Sequence, residues 1–319
     1  MKRIGVLTSG GDAPGMNAAI RAVTRTAIYR DMEVIGFCRG YDGLLEGDVV
    51  PLSVSSVGGI IHRGGTILRT ARCPRFMKPE GVREGLRRLK DYDIDALVVI
   101  GGDGSFRGAL ELSELGFPVV GIPGTIDNDM AGTDCTIGFD TACNTALQCI
   151  EKLRDTASSH ERLFLVEVMG RHAGFLALEA AVAAGAEYVL LPEVPLDLDV
   201  LCKKLHYARE RGKTHSLIIV AEGVMPASDL ASKLKDTAGF DARIIVLGHI
   251  QRGGSPSSFD AVLASRLGGA AVDALKRSEF GVMVGRIAGN IVTSPLQVSW
   301  EQKKNLDSDM MSLIDILGI

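Results

Sequence analysis

The chain has 319 residues, of which 46% are hydrophobic and 23% are charged, close to the averages of soluble globular proteins. This composition excludes a disordered or fibrous protein, and the length suggests about two domains or one large α/β unit. With 35 basic and 39 acidic residues the formal net charge is −4, which indicates no general affinity for nucleic acid or for an anionic membrane surface.

Short apolar runs alternate with amphipathic segments along the chain, and most of the runs end at a Gly-rich loop. The runs predict strands at residues 4–7, 96–100, 119–122, 163–168, 217–221 and 244–247. The amphipathic segments predict helices over about 17–30, after the loop 101–104 to about 115, over about 141–154, after the loop 169–174 to about 184, and over about 258–276. This alternation predicts an α/β fold with mainly parallel sheets.

The six cysteines contain no C-x-x-C pair, so neither a zinc site nor a redox dithiol is indicated. Cys143 and Cys149 fall in an apolar helical pattern and are predicted to be buried, reduced thiols, which fits the reducing cytoplasm. The apolar run before Thr8 has four residues, too few for a signal peptide, and no run approaches the ~20 apolar residues of a membrane span. We therefore expect a cytoplasmic protein without a membrane segment.

Two loops share the pattern Gly-Gly-Asp after a predicted strand, at residues 10–13 and 101–104. Bare backbone N–H groups at a helix N-terminus form a cradle for phosphate. Asp103 repels phosphate unless a cation lies between them, and Mg²⁺ prefers one or two carboxylates together with phosphate oxygens. The alternative is that Asp103 only caps the following helix. The sequence contains neither the Walker A pattern nor the protein-kinase glycine loop, which excludes those two classes of phosphotransferase.

The segment Thr125–Asp129 carries two carboxylates two residues apart after a predicted strand. One carboxylate, Asp127 or Asp129, is suited to taking a proton from an attacking hydroxyl, while the other lies near a metal. The alternative is an ordinary turn, because Asp and Asn favour turns.

Arginine matches phosphate with two parallel hydrogen bonds. Four arginines lie beside predicted strands: Arg162, Arg171, Arg243 and Arg252. Their alternative is solvated surface. His249 alone is more often a satisfied loop histidine, and Glu222 either accepts from sugar hydroxyls or caps a turn.

Arg21 and Arg25 lie one turn apart on a predicted helix, where like charges cost a few tenths of a kcal/mol. A bound anion offsets that repulsion, and residues 211–215 form a second small basic cluster. Solvated arginines are the alternative.

Six motifs occur in order: GGDAPGMN (10–17), GGDGS (101–105), PGTIDND (123–129), GFDTA (138–142), MGRHAG (169–174) and GHIQRGGSP (248–256). Together they closely resemble the bacterial ATP-dependent 6-phosphofructokinases over essentially the whole chain. The resemblance implies transfer of the γ-phosphoryl group of MgATP to the 1-hydroxyl of fructose 6-phosphate, giving fructose 1,6-bisphosphate. It also implies a homotetramer and two three-layer α/β domains with the active site in the cleft between them. The implied ATP-binding domain is 1–138 plus 251–301, and the implied sugar-phosphate domain is 139–250 plus 302–319.

By this resemblance, ATP is surrounded by Gly11, Arg72, Cys73, Gly102, Asp103, Gly104 and Ser105. Asp103 is the implied Mg²⁺-binding residue, and Asp129 is implied to assist in the metal's coordination shell. Asp127 is the implied general base. Thr125 and Arg171 are implied to stabilise charge on the phosphoryl group during transfer. The implied sugar-phosphate residues are Thr125, Ile126, Asp127, Arg162, Met169, Gly170, Arg171, Glu222, Arg243, His249 and Arg252. Arg162 and Arg243 are implied to reach from a neighbouring subunit.

The resemblance also implies an effector site between subunits, with ADP as activator or phosphoenolpyruvate as inhibitor. The matching residues are Arg21, Arg25, Arg154, Gly185, Glu187, Arg211, Lys213 and His215. Gly59 stands where several relatives have an acidic residue, and Val54 where some have arginine, so the choice of effector stays open. Glu187 is suited to holding the Mg²⁺ of a bound nucleotide.

Two alternative functions stay open. A pyrophosphate-dependent phosphofructokinase typically resembles GGDD and PKTIDND in these loops, whereas this chain has Gly104 and Gly124, which favours ATP. A non-catalytic sugar-phosphate sensor is disfavoured because Asp103, Asp127 and Arg171 are all present.

Overall fold

The computed structural model describes residues 1–160, 163–213 and 215–317. The chain divides into two compact units. Unit 1 comprises Met1–Thr141 and Arg252–Lys304, and unit 2 comprises Ala142–Gln251 and the residues from Asn305 onward. The chain therefore crosses between the units three times, and unit 2 is built mainly from one continuous segment.

The strands are β1 Arg3–Thr8, β2 Glu33–Phe37, β3 Val49–Leu52, β4 Ala96–Gly101, β5 Val119–Pro123, β6 Leu163–Val168, β7 Tyr188–Leu190, β8 Ser216–Ala221, β9 Ala242–Val246, β10 Val282–Ile287 and β11 Asn290–Pro295. The α-helices are α1 Met16–Tyr29, α2 Gly40–Glu46, α3 Pro79–Asp91, α4 Asp103–Glu114, α5 Phe139–His160, α6 Phe175–Ala184, α7 Leu198–Glu210, α8 Ala227–Ala238, α9 Ser258–Lys276, α10 Val298–Glu301 and α11 Ser308–Leu317. Short 3₁₀ helices cover Pro74–Met77 and Gly248–Arg252.

Unit 1 contains a seven-stranded sheet in the order β11-β10-β5-β4-β1-β2-β3. Its central strands are parallel, while β2–β3 and β10–β11 are antiparallel pairs at the two edges. Strand β4 is buried along its whole length, which explains its unbroken apolar sequence, because both faces of a central parallel strand are covered. The predicted α/β class with mainly parallel sheets is confirmed.

Helices α1 and α9 pack closely because small residues line their contact. A Cβ atom at Gly268 would lie 2.6 Å from Cβ of Ala22 and 2.9 Å from the carbonyl oxygen of Ala19. The alanines of α1 thus serve helix packing on one face, while Arg21 and Arg25 on the same helix are half-buried.

Unit 2 contains a parallel four-stranded sheet in the order β7-β8-β6-β9. Its core joins strand residues such as Leu165 and Ile218 to helix residues such as Leu201 and Leu230. Strand β9 lies at one edge of this sheet. No helix in the described parts of the chain has the length and apolar character needed to cross a bilayer.

Helix α5 begins at Phe139 and runs to His160, longer at both ends than the predicted 141–154. Its buried face contains Ala142, Ala146 and Ile150. Cys143 and Cys149 are half-buried, so the prediction that they are buried was wrong; they flank the apolar stripe instead of lying at its centre.

The N-terminal ends of α5 and α9 hold each other in place through side chains. Asp260, fully buried in the first turn of α9, accepts hydrogen bonds from N–H of Gly138 (2.9 Å) and from N–H and Oγ1 of Thr141 (2.8 and 2.6 Å). Burial raises the pKa of this carboxyl group, against the opposing effect of these hydrogen bonds. In return, N–H of Ser257 donates to Oγ1 of Thr141. A carboxylate from one helix therefore caps the start of another.

Candidate active site

Three neighbouring strands of unit 1 present Gly- and Asp-rich loops at one edge of the sheet. β1 leads into the loop 8–15, β4 into 101–105, and β5 into 123–129. The connections from β1 to β2 and from β4 to β5 run in opposite directions across the sheet, so the order reverses between β1 and β4. Ligands of open α/β sheets bind at the carboxyl ends of strands at this kind of reversal.

The loops after β1 and β4 approach so closely that only glycine fits between them. N–H of Ser9 donates to the carbonyl of Ile100 (3.0 Å). A Cβ atom at Gly101 would lie 2.5 Å from both the carbonyl oxygen of Ser9 and Oγ of Ser105. The two Gly-Gly-Asp motifs thus form one surface of backbone groups.

Helix α4 begins at this surface. Gly102 is its N-cap residue and Asp103 is its first helical residue, half-buried, so the capping position belongs to Gly102 and not to Asp103. Gly104 is exposed, and a Cβ atom there would meet no other atom within 4 Å. A helix N-terminus beside open space suits the phosphates of a nucleotide. The position of Asp103 at the edge of that space fits a divalent cation bound with them.

The segment Thr125–Asp129 is held by hydrogen bonds on both sides of Asp127. N–H of Thr125 donates to the carbonyl of Ile137 (3.1 Å), and Oγ1 of Thr136 donates to the carbonyl of Thr125 (2.6 Å). N–H of Asp127 donates to Oγ1 of Thr125 (3.2 Å). The segment is therefore a turn, but one whose acidic residue Asp127 is only 1% exposed. A turn role alone does not explain that burial, because aspartate is almost never fully buried without a specific reason.

Arg252 lies against the loop that follows β1. Its Nη1 donates to the carbonyl of Asp12 (3.2 Å), and a Cβ atom at Gly11 would overlap the guanidinium group. Unit 1 therefore brings together Gly11, predicted to contact ATP, and Arg252, predicted to bind the sugar phosphate. Arg72 is exposed, and Cys73 is half-buried against the apolar core.

Three neighbouring strands of unit 2, namely β8, β6 and β9, also end in loops that carry predicted site residues. Oε1 of Glu222, after β8, accepts hydrogen bonds from N–H of Gly170 (3.2 Å) and of Arg171 (2.8 Å), after β6. Arg171 has φ 53°, and a Cβ atom at Gly223 would overlap its carbonyl oxygen. Glu222 thus fixes the backbone that carries the exposed side chain of Arg171.

Gln251 lies at the end of the loop after β9 and was not singled out by its motif. Its side chain is fully buried, and its Oε1 accepts a hydrogen bond from N–H of Met169 (3.0 Å). His249 is exposed in the same 3₁₀ helix. Gln251 and Glu222 both accept hydrogen bonds from main-chain N–H groups of residues 169–171. The sequence motifs do not show these contacts, because the partners are far apart in the sequence.

Arg243 is exposed on the edge strand β9, 3.9 Å from a carboxylate oxygen of Asp241. Arg162, its predicted partner in binding the sugar phosphate of a neighbouring subunit, lies outside the described residues.

Six of the predicted effector residues lie in unit 2 and two, Arg21 and Arg25, lie in unit 1. In unit 2, Arg154 donates to the carbonyl of Gly185, and Lys213 lies 3.2 Å from Oε1 of Glu187. The buried carboxylate of Glu187 also accepts from N–H of Leu217 (2.6 Å). Glu187 among these cations is therefore explained within the protein by an ion pair and a backbone hydrogen bond.

A cavity of about 490 Å³ opens at the amino end of the unit 2 sheet. Lys213 and His215 line it, together with Arg209 and Phe240. Nδ1 of His215 is buried and has no hydrogen-bond partner among the described residues. Arg211 is exposed and lies over the ring of Tyr207.

The sequence matches the family model of phosphofructokinase over residues 3–275. It is 56% identical to an ATP-dependent 6-phosphofructokinase from Bacillus cytotoxicus over 319 residues, which is 100% of both chains. The fold is similar to the solved phosphofructokinase of Saccharomyces cerevisiae, with a TM-score of 0.86 and 39% identity over 93% of this chain. This chain spans 45% of the length of that yeast chain.

A pyrophosphate-dependent phosphofructokinase from Marinobacter aquaeolei is similar in fold, with a TM-score of 0.86 and 24% identity, covering 99% of this chain and 91% of its own. That likeness concerns the fold alone. The family model covers most of the sequence and the Bacillus relative matches it from end to end. The chain belongs to the phosphofructokinase family.

Proposed function

We propose that the protein transfers the γ-phosphoryl group of MgATP to the 1-hydroxyl of fructose 6-phosphate, giving fructose 1,6-bisphosphate and ADP. The observation that carries this proposal is the convergence of the loops 8–15, 101–105 and 123–129 at the ends of β1, β4 and β5. These loops supply a phosphate surface, an acidic residue for a metal and a buried carboxylate base. The full-length Bacillus relative carries the same activity in its name.

The nucleotide phosphates bind at the start of α4, where the helix N-terminus and the glycines allow close approach. Asp103 would hold the Mg²⁺ that accompanies ATP, and this ion neutralises charge on the phosphates when it is bound. Gly11, Arg72, Cys73, Gly102, Gly104 and Ser105 complete the proposed ATP site.

Asp127 takes the proton of the 1-hydroxyl as that oxygen attacks. Its burial and its fixed backbone favour this role, because a base acts best when it is held in place before the substrate arrives. Asp129 lies two residues further on and assists near the metal. Thr125 and Arg171 stabilise the negative charge that moves with the phosphoryl group.

Most of the proposed sugar-phosphate residues lie in the loops after β6, β8 and β9, and Ile126 lies in the loop after β5. The proposed residues are Ile126, Arg162, Met169, Gly170, Glu222, Arg243, His249 and Arg252. Arg162 and Arg243 act on the substrate of a neighbouring subunit in a homotetramer. Arg243 is exposed on the edge strand β9, which suits it to reaching another chain.

We infer that ATP and not pyrophosphate is the donor. Gly104 borders open space, into which an aspartate at this position would project towards the phosphates. At Gly124, a Cβ atom would already lie 3.2 Å from Met16 and 3.3 Å from Ile100, so a lysine would not fit without movement of both. These two positions distinguish this chain from the pyrophosphate-dependent pattern.

A coupled assay that detects fructose 1,6-bisphosphate tests the donor directly, with ATP or pyrophosphate supplied at equal concentration. We expect product with ATP and little with pyrophosphate. Equal or faster turnover with pyrophosphate would contradict the proposal, and no turnover with either donor would favour the sugar-phosphate sensor.

Gly104→Asp should fold and lose the ability to use ATP. Gly104→Ala, which adds bulk without charge, should lose far less of its activity with ATP.

The proposal includes regulation by ADP and phosphoenolpyruvate at the eight effector residues and a cytoplasmic location. The supporting observations are the ion pair between the half-buried Lys213 and the buried Glu187, beside an open cavity that Lys213 lines, and the six free cysteines. A binding titration with each effector tests the regulation. Separation of cytosol from membranes tests the location.

A further inference from the structure

Lys304, the last residue of unit 1, contacts the loop that carries Asp127 although it is far away in the sequence. Its Nζ donates to Oδ1 of Asn128 (2.8 Å) and to the carbonyl of Asp134 (2.7 Å). The side chain is partly buried, and desolvation lowers its pKa to about 8, although nearby Cys135, Asp134 and Asp129 oppose that shift. An ammonium group held at a desolvation cost needs a reason beyond surface solubility.

Asn128 is the residue on which this contact acts. It is 4% exposed and has φ 52°, in the left-handed region that asparagine tolerates better than most residues. Its Oδ1 accepts from N–H of Thr136 (3.1 Å) as well as from Lys304. Two donors from different parts of the chain thus hold the side chain of Asn128, and this fixes the backbone between Asp127 and Asp129.

The second partner, Asp134, begins the segment that holds the other flank of Asp127. Thr136 and Ile137, in the same segment, bind both backbone groups of Thr125. Lys304 therefore joins the two pieces of chain on either side of the proposed base. Thr136 and Ile137 lie close to the turn in the sequence, whereas Lys304 comes from the end of the unit.

We propose that Lys304 is a positioning residue for phosphoryl transfer: by binding Asn128 and Asp134 together, it fixes the turn that aims Asp127 and Asp129 at the reacting groups. The inference rests on the proposed function. It predicts that loss of the ammonium group slows the chemical step more than it weakens the binding of either substrate, because a displacement of about 1 Å at the base costs on the order of 10²-fold in rate.

The test compares Lys304→Met with Lys303→Met, a matched change at the exposed neighbouring lysine. Lys304→Met keeps the aliphatic stem but removes the three donors. We expect kcat to fall by about 10- to 100-fold, with both KM values within about threefold of wild type. Lys303→Met should match wild type. A kcat of Lys304→Met within twofold of wild type would overturn the proposal.

A double-mutant cycle tests whether Lys304 acts through Asn128. Asn128→Gly removes the side chain while glycine tolerates the positive φ angle. If the two residues form one unit, the double mutant should be no slower than the slower single mutant. Fully multiplicative losses would show that Lys304 acts elsewhere and would overturn the inference.

Stability and the proposed function are controlled in the same series. Melting temperatures are measured for every variant, and if Lys304→Met does not fold, Lys304→Leu, which also lacks a donor, is judged by the same kcat criterion. A wild-type protein inactive with ATP would refute the proposed function itself. An active wild type with an unaffected Lys304 variant would refute only the positioning role.

Discussion

Asp127 combines two properties that oppose each other in most proteins, because it is a carboxylate and it is almost completely buried. Its backbone N–H is held by Thr125, which is itself held by Ile137 and Thr136. Burying an acid costs folding free energy. A residue kept in this position at that cost is expected to serve chemistry more than stability.

Asp127→Asn retains the shape of the side chain but removes the proton acceptor. We expect kcat to fall by ~10²–10⁴, the usual contribution of a general base, with binding of both substrates largely kept. Steady-state kinetics at saturating substrate measure the change. Asp91→Asn, at the exposed end of α3, is the control for loss of one negative charge. A loss of less than about fivefold would make Asp127 a turn residue.

Arg171 has its backbone fixed by Glu222 while its side chain is exposed. We expect Arg171→Ala to raise the barrier by about 2.7–4 kcal/mol, because its charge is needed most when the phosphoryl group is in transit. The kinetic signature is a fall in kcat larger than the rise in KM for fructose 6-phosphate. Arg171→Lys, which keeps the charge and loses the planar fork, should lie between. A change confined to KM would show that Arg171 only binds the ground state.

At the scale of elements, the ends of helices and strands determine the positions of Asp127 and Arg171. The mutual capping of α5 and α9 fixes two helices whose first turns lie next to the crossings between units, at 141–142 and 251–252. The two carboxylate oxygens of Asp260 accept from N–H of Gly138 and N–H of Thr141, two groups at the start of α5 that have no partner within the helix. Helix α9 also has its own N-cap, because Oγ of Ser257 accepts a hydrogen bond from N–H of Asp260 (3.2 Å).

Asp260→Ala should destabilise the protein by about 1–3 kcal/mol, because it leaves buried donors of Gly138 and Thr141 without an acceptor. Thermal unfolding measured by circular dichroism gives the shift. The control is Asp273→Ala, which removes an exposed ion pair with Arg30 and should cost no more than about 1 kcal/mol. Equal shifts for the two variants would contradict a capping role for Asp260.

Much of this level could be predicted from the sequence. An apolar run that ends in Gly-Gly-Asp indicates a strand and its loop, and all six predicted strands are present. Polar helices such as α3 and the edge pairs β2–β3 and β10–β11 were not predicted, since their placement depends on distant partners. For the same reason the motifs named Asp127 and Arg171 but not the contacts of Gln251 and Lys304, which join residues far apart in sequence.

At the scale of the whole molecule, regulation requires that one effector distinguish two states of an assembly. Arg21 and Arg25 lie on α1 in unit 1, whereas Arg154 and Lys213 lie in unit 2. Nε of Arg25 is buried without a hydrogen-bond partner among the described residues. We propose that this donor serves the anionic effector, whose charge would offset the repulsion between Arg21 and Arg25.

Arg25→Ala, and separately Arg21→Ala, should weaken the response to ADP and to phosphoenolpyruvate, with couplings of ~1–3 kcal/mol reduced towards zero. The half-saturating concentration of fructose 6-phosphate is measured with and without each effector. The value of kcat at saturating sugar should stay nearly unchanged. A full response in the double mutant would assign this pair to solvated surface.

The pairing of β10 with β5 has a consequence for how the chain is made. Val282 pairs with Val120, and all of residues 142–251 are synthesised between them. During synthesis, the four strands of unit 2 emerge consecutively, before β10 is available to pair with the free edge of β5. Closing a loop of this length is slow, and an open edge strand invites pairing with other chains. We expect unit 2 to acquire its sheet first, and nascent chains paused before β10 to be the species most dependent on chaperones.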